Sequence, residues 1–218
     1  MSLFAEKNRV TIGENEMSVD HRFPSRRQIL ATGAFAVTGF GLAIDSGSGL
    51  QRLVPTPACH DGDEPTVEET EGPFFKPRSP RRSNLREPGI AGRAVELSGL
   101  VLTRSCRPVR GALVDLWHAD DKGVYDNKGF RLRGHTFTDD RGGYAFHTIV
   151  PGLYPGRTRH YHVKIRVPGE KSLLTTQFYF PDEERNRADG LFRRNLVMRV
   201  AEAENALLAR FDVILELR

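Results

Sequence analysis

Tyr154-Pro-Gly-Arg157-Thr-Arg-His160-Tyr-His162-Val-Lys-Ile-Arg-Val167 is the stretch on which the fold turns. From His160 onward, His160, His162, Lys164 and Arg166 fall on one side of a two-residue repeat, and Tyr161, Val163, Ile165 and Val167 fall on the other. Side chains alternate across a strand, so the pattern predicts a β-strand with one polar and one apolar face. The Pro-Gly pair just before it is a turn signal. Similar short apolar runs occur at Val95–Leu102, Ala112–Trp117, Tyr144–Val150, Leu173–Phe180 and Phe211–Leu217, each bounded by Gly, Pro, Asp or Asn. Short strands separated by dense turns predict an all-β protein, a two-layer β-sandwich. Residues 183–209 are the exception: from Arg187 to Ala209 apolar and charged residues alternate at spacings that suit one or two short helices near the C-terminus. No internal repeat is evident.

The sandwich is assigned to residues 59–218, enough chain for one two-layer core. Residues 1–58 are assigned to a targeting segment and linker. Ser25-Arg26-Arg27-Gln28-Ile29-Leu30 carries a twin-arginine pair, and Ile29 to Ile44 is a weakly hydrophobic, Gly/Ala-rich run, short for a membrane span. This predicts export by the twin-arginine route to a periplasmic or extracellular destination, with the export machinery as a partner. A flexible basic leader followed by a buried helix is the alternative. Cys59 and Cys106 suit an oxidising compartment, whether as one bond or as two free thiols. The balance of 32 Lys and Arg against 28 Asp and Glu gives a net charge of +4. Without a basic helix or a basic run interleaved with aromatics, that mild excess makes no case for nucleic acid.

Residues i and i+2 of a strand lie about 7 Å apart on one face, so His160 and His162 can reach one ion. The pair alone suits a solvated polar face equally well. Tyr125 and Tyr154 change the chemistry, because two tyrosinates with two imidazoles form a hard, anionic donor set suited to Fe(III) rather than Zn(II). The combination points to oxygen chemistry. Each tyrosine also suits an ordinary turn or core position with a wet hydroxyl.

Thr70-Glu-Gly-Pro73, Ala112-Leu-Val-Asp-Leu-Trp117-His118, Gly123-Val-Tyr125, Arg133-Gly134, Asp140-Arg-Gly-Gly-Tyr144-Ala-Phe146 and Leu174-Thr-Thr-Gln177 occur in this order. The ordered set resembles the intradiol ring-cleavage dioxygenases over roughly residues 65–215, and most of all their short exported branch, in which Tyr-Pro-Gly-Arg-Thr leads directly into the histidines. The resemblance implies one non-haem Fe(III) per chain, with Tyr125 and His160 equatorial and Tyr154 and His162 axial. It places Arg157 facing the aromatic ring, where a permanently charged guanidinium stabilises developing negative charge, and Gln177 in the same pocket. Tyr154 is implied to leave the metal as the diol loses its second proton, so it counts as catalytic and no separate general base is needed. The implied reaction is intradiol opening of a catechol-type diol by O2 to a cis,cis-muconate, a step of aromatic compound catabolism. Oligomeric state is left open.

Two departures from the family pattern stand out. Phe74 and Phe75 follow Pro73 where a tyrosine is usual, predicting a less polar pocket, and Ala119 follows His118 where a cysteine is common. Catechol, alkyl- and halo-catechols and hydroxyquinol are therefore expected ahead of protocatechuate, whose carboxylate would need Arg131, Arg133 or Arg159. Two rival readings remain. Gly111-Ala-Leu-Val-Asp-Leu with Asp140-x-Gly-x-Tyr-x-Phe also marks non-catalytic, prealbumin-like β-sandwich modules. A zinc hydrolase would pair His160 and His162 with Asp120 or Asp126.

Overall fold

A computed structural model describes residues 59–60, 63–170 and 173–217. The twin-arginine pair Arg26-Arg27 and the whole segment 1–58 lie outside the described residues. Among the described residues nine strands form two sheets: β1 (Ala94–Thr103), β2 (Leu113–Trp117), β3 (Arg133–Phe137), β4 (Gly143–Ile149), β5 (His160–Arg166), β6 (Leu173–Tyr179), β7 (Arg199–Glu202), β8 (Leu207–Arg210) and β9 (Val213–Leu215). One sheet has the order β4-β1-β8-β7, with β9 also paired to β1, and the other has the order β3-β2-β5-β6. Strands β8 and β9 run parallel to successive parts of β1.

The alternation in β5 decides which way each face points. Tyr161, Val163 and Ile165 are buried to within 1% and join Val114 and Leu116 of β2, Phe178 of β6 and Phe146 of β4 in the core between the sheets. Burying each such aliphatic or aromatic side chain contributes roughly 1.5–3 kcal/mol, so the apolar face must turn inward and the histidine face outward.

The outward face of the second sheet is covered by the segment that precedes β1. The Glu69 amide donates to Thr175 O at 2.8 Å on β6. The segment then crosses β5 and β2, its Ser79 Oγ donating to Asp115 Oδ1 at 2.8 Å. The His135 amide of β3 donates to Pro80 O at 3.0 Å, and the Leu85 amide donates to His147 O of β4 at 2.8 Å. It is a strap laid across the strands, tied at every crossing. A Cys59–Cys106 disulfide joins the start of the described chain to the turn after β1, with Cα atoms 5.7 Å apart.

The C-terminal helices prove to be two short 3-10 turns, Glu184–Arg187 and Arg194–Leu196. The rest of the Arg187–Ala209 stretch is loop, β7 and most of β8. Four-residue strands are too short for a period of two to stand out against 3.6, which is why the pattern read as helical. β3 gave no apolar signal because Arg133 and His135 face the strap and the alternate positions are Gly134 and Thr136, which carry no large apolar side chain.

Candidate metal centre

Register places the site before any side chain is considered. Arg133 of β3 pairs with Trp117 of β2, Trp117 with His162 of β5, and His162 with Gln177 of β6. Directly paired residues of antiparallel strands point to the same face, so these four side chains form one row beneath the strap. His160 and its partner Tyr179 start the next row.

Within this frame the imidazoles converge. His160 Nε2 and His162 Nε2 are 3.1 Å apart, and Tyr125 Oη lies 3.3 Å from His160 Nε2. The His160 Nδ1 nitrogen lies 2.7 Å from Thr158 O, a contact that requires a hydrogen on Nδ1 and leaves the lone pair on Nε2. Trp117 stacks on His162 with ring centroids 5.0 Å apart and 6° between planes. The strap closes over the same ring: a Cβ at Gly72, which has φ +69°, would lie 3.3 Å from His162 Cε1. Burial, with the Arg157 charge adding to it, pushes the His160 pKa down to about 4. Burial also lowers His162 well below its ordinary value, helped by His160, Arg157 and Arg133. Both rings are therefore neutral near pH 7, the form that donates to a metal.

The tyrosines arrive on two turns packed back to back. After β2, Asp120 Oδ1 accepts the amides of Lys122 and Val124, each at 2.9 Å, folding the chain into the turn that ends at Tyr125. A Cβ at Gly123 would lie 2.2 Å from Leu153 O, so only glycine lets this turn seat against the Leu153–Tyr154 segment. Tyr154 itself opens a tight turn closed by the Arg157 amide donating to Tyr154 O at 3.0 Å. The tyrosine rings meet edge to face at 5.9 Å. Phe74 of the strap stacks on Tyr125 at 4.5 Å and meets Tyr154 edge-on at 5.4 Å, while Phe75 packs on Trp117 at 5.0 Å. Tyr125 is buried, and burial raises its phenol above the ordinary value against the pull of Arg157 and Arg133, so only a cation beside it would hold it as phenolate. Tyr154 is half-buried, and among the described residues no group hydrogen-bonds its hydroxyl.

Arg157 and Gln177 are brought together, Arg157 Nη2 donating to Gln177 Oε1 at 2.6 Å, while Gln177 Nε2 donates to Thr70 O of the strap at 3.0 Å. His118, adjacent to Trp117, points away: its ring lies 2.6 Å from Thr148 Oγ1 and 2.7 Å from Ala119 O. Of the three arginines considered for an anion, Arg159 pairs with Glu183 at 2.9 Å and Arg131 is exposed. Arg133 is buried, with Nη1 donating to Phe74 O at 2.6 Å and Nη2 without a partner among the described residues. A cleft of about 330 Å³, lined by His118, Val124, Asp126, Lys128 and Arg131 among others, reaches Tyr125 from the loop side.

The zinc reading fails on geometry. Asp120 caps its own turn, Asp126 accepts the amides of Lys128, Gly129 and Arg131, and no group of three or more His, Cys, Asp or Glu among the described residues could hold an ion. The donors that do converge are two imidazoles and a phenol, with a second phenol packed alongside, a set that suits a ferric ion.

Sequence reasoning overlooked Asp189, which accepts Arg157 Nε, and Tyr179, whose hydroxyl lies 3.1 Å from Gln177 Oε1. Asp189-Gly190 looks in sequence like any surface turn. Tyr179 lay in an identified strand, but only the His160–Tyr179 register shows what it faces.

The model of a family described as Dioxygenase matches residues 70–216. The chain belongs to the intradiol dioxygenase family. Among its relatives is a hydroxyquinol 1,2-dioxygenase of Nocardioides simplex, 31% identical over 171 residues that cover 67% of this chain and 57% of the relative. The protocatechuate 3,4-dioxygenase beta chain of Burkholderia cepacia is 32% identical over 152 residues, covering 57% of this chain and 65% of that one. The chain thus spans less than two thirds of these curated relatives. Among solved structures, the dioxygenase domain of a dioxygenase carbohydrate-binding protein fusion from Streptomyces sp. SirexAA-E is 48% identical with a TM-score of 0.69, covering 71% of this chain and 100% of that domain. An intradiol dioxygenase fold and the two-sheet architecture agree.

Proposed function

We propose that this chain is a ferric-iron-dependent intradiol dioxygenase, opening a catechol-type diol between its two hydroxylated carbons with both atoms of O2 to give a cis,cis-muconate. The observation that carries the reading is the convergence of Tyr125 Oη, His160 Nε2 and His162 Nε2 at 3.1–3.3 Å, with both imidazoles neutral. Tyr125, Tyr154, His160 and His162 would hold one Fe(III). When bound, the ion supplies Lewis-acid activation of the diol and templates it for reaction with O2.

The chain's own residues supply the rest. Thr158 O fixes the His160 tautomer, and Trp117 holds the plane of the His162 ring. Tyr154, whose hydroxyl has no hydrogen-bond partner among the described residues, is free to take up a proton at its phenolate oxygen as the diol ionises, while Tyr125 is held among Phe74 and His160. Arg157 offers a fixed positive charge to the anionic ring, and Gln177 holds its Nη2. Phe74, Phe75 and Gly72 exclude water from the histidine row. With these apolar walls, and with Arg159 paired to Glu183, catechol, its alkyl and halo derivatives and hydroxyquinol fit better than protocatechuate.

Purified protein should be reddish, with a broad tyrosinate-to-iron band and about one iron per chain, and His160→Ala or His162→Ala should lose most of that iron. Product analysis with labelled O2 should show both atoms in a muconate. A colourless, zinc-loaded, fully active protein would overturn the metal assignment, and a yellow semialdehyde product would overturn intradiol cleavage. Export by the twin-arginine route belongs to the same proposal, supported by Arg26-Arg27 and by a disulfide suited to an oxidising compartment.

A further inference from the structure

Arg157 sits on a turn, where a long side chain has many rotamers, yet it is held at both ends of its guanidinium. Asp189, 32 residues further along, has a side chain only 2% exposed and accepts Arg157 Nε at 3.1 and 2.8 Å through its two oxygens. The same carboxylate accepts the Thr158 amide at 2.9 Å on Oδ2 and the Leu191 amide at 2.9 Å on Oδ1. Burial would raise its pKa, but those amides and Arg157 bring it below the ordinary carboxylate range, so it is anionic. On the other side, Arg157 Nη2 meets Gln177 Oε1, and Gln177 Nε2 reaches Thr70 O in the strap. The Tyr179 hydroxyl braces the junction, 3.1 Å from Gln177 Oε1 and 2.9 Å from Leu191 O. Among the described residues nothing accepts from Nη1.

We propose that Asp189 is a positioning residue, fixing the plane of the Arg157 guanidinium and, through it, Gln177, so that a free donor and a fixed charge face the diol. This rests on the reading of the site given above. A buried ion pair is a poor source of net stability, because desolvation offsets most of its attraction. Preorganisation explains the geometry better: a charge already aimed where negative charge develops needs no reorganisation during the reaction. Asp189 also sits in the loop between the 3-10 turns, so the orientation of Arg157 depends on that loop being folded against β5 and β6.

The test is a double-substitution cycle in the full, iron-loaded chain, using Asp189→Asn and Arg157→Ala singly and together, with iron content, the visible band, kcat, KM and Tm measured for each. Asp189→Asn should keep iron and colour and lower kcat about tenfold or more, with KM moving less than about threefold. If Asp189 acts through Arg157, the double variant should turn over within about twofold of Arg157→Ala alone. Its Tm should still fall further, because an amide offers one accepting oxygen where the carboxylate offered two, so one of the Thr158 and Leu191 amides loses its acceptor. An equal fractional loss of kcat in both backgrounds, or unchanged kcat in Asp189→Asn, overturns the inference while leaving the dioxygenase reading intact. Absence of catechol cleavage by the unsubstituted chain overturns both.

Discussion

Gly72 shows how much one hydrogen atom decides at this site. Its φ of +69° is a left-handed conformation that other residues adopt at a cost of roughly 1 kcal/mol, and an added methyl would press on His162 at 3.3 Å. Gly72→Ala should lower stability modestly and weaken iron retention, read as faster iron loss during dialysis against a chelator. Retention equal to that of the unsubstituted chain would show that the strap does not bear on the ligand. Asp115, on the same sheet face, tests a different balance. Burial pushes its carboxyl up to about 6, opposed by the Ser79 hydrogen bond and by His135 and Arg133; Lys164 is its cross-strand neighbour. With the folded value above the unfolded one, the folded chain holds this proton more tightly. The contribution favours the fold below about pH 4 and is lost as pH rises through 6. Asp115→Asn keeps an acceptor for Ser79 and should gain on the order of 2 kcal/mol at pH 8, with little change at pH 4. Urea unfolding at both pH values checks this, and an equal gain at each would refute the titration argument. His160 and His162 were legible as a pair because a strand's period of two is visible in sequence; Asp189 was not, because its partner lies on another element.

The elements divide by how regular they are. β5 was readable residue by residue, and its two faces separate into core and site as the alternation requires. The strap has no periodicity, since its residues bond to six different strands in turn, and nothing local marks it as the cover of the site. Its anchor is testable. The Cys59–Cys106 bond closes a separation of 47 residues, worth about 4 kcal/mol in the chain-entropy model. Cys59→Ser with Cys106→Ser should therefore lower Tm markedly under non-reducing conditions. Because the hydrogen bonds of Glu69 and Thr66 hold the strap independently, the surviving folded fraction should keep its visible band. Loss of colour in protein that is still folded would mean that the disulfide, rather than those bonds, holds the strap over His162.

At the scale of the whole molecule, export is the property most remote from the site. If residues 1–58 address the protein to the twin-arginine machinery, Arg26→Lys with Arg27→Lys should leave the protein in the cytoplasm with its Cys59–Cys106 bond unformed; fractionation and thiol labelling read both. Normal export of the doubly substituted chain would refute the route. What the sequence determined by itself was the alternation, the turns and the identity of the donors: an all-β sandwich, with Tyr125, Tyr154, His160 and His162 as candidate ligands. Those are short-range facts, carried by spacing and by side-chain chemistry; Arg157 and Gln177 joined them only through the resemblance to the intradiol family. Only the tertiary structure decided that Gln177 shares a row with His162, that the Tyr125 and Tyr154 turns seat against each other, that the strap seals the row, and that Asp189 holds Arg157. Register and loop packing follow from burying the apolar faces of both sheets at once, a condition that no local stretch of sequence expresses.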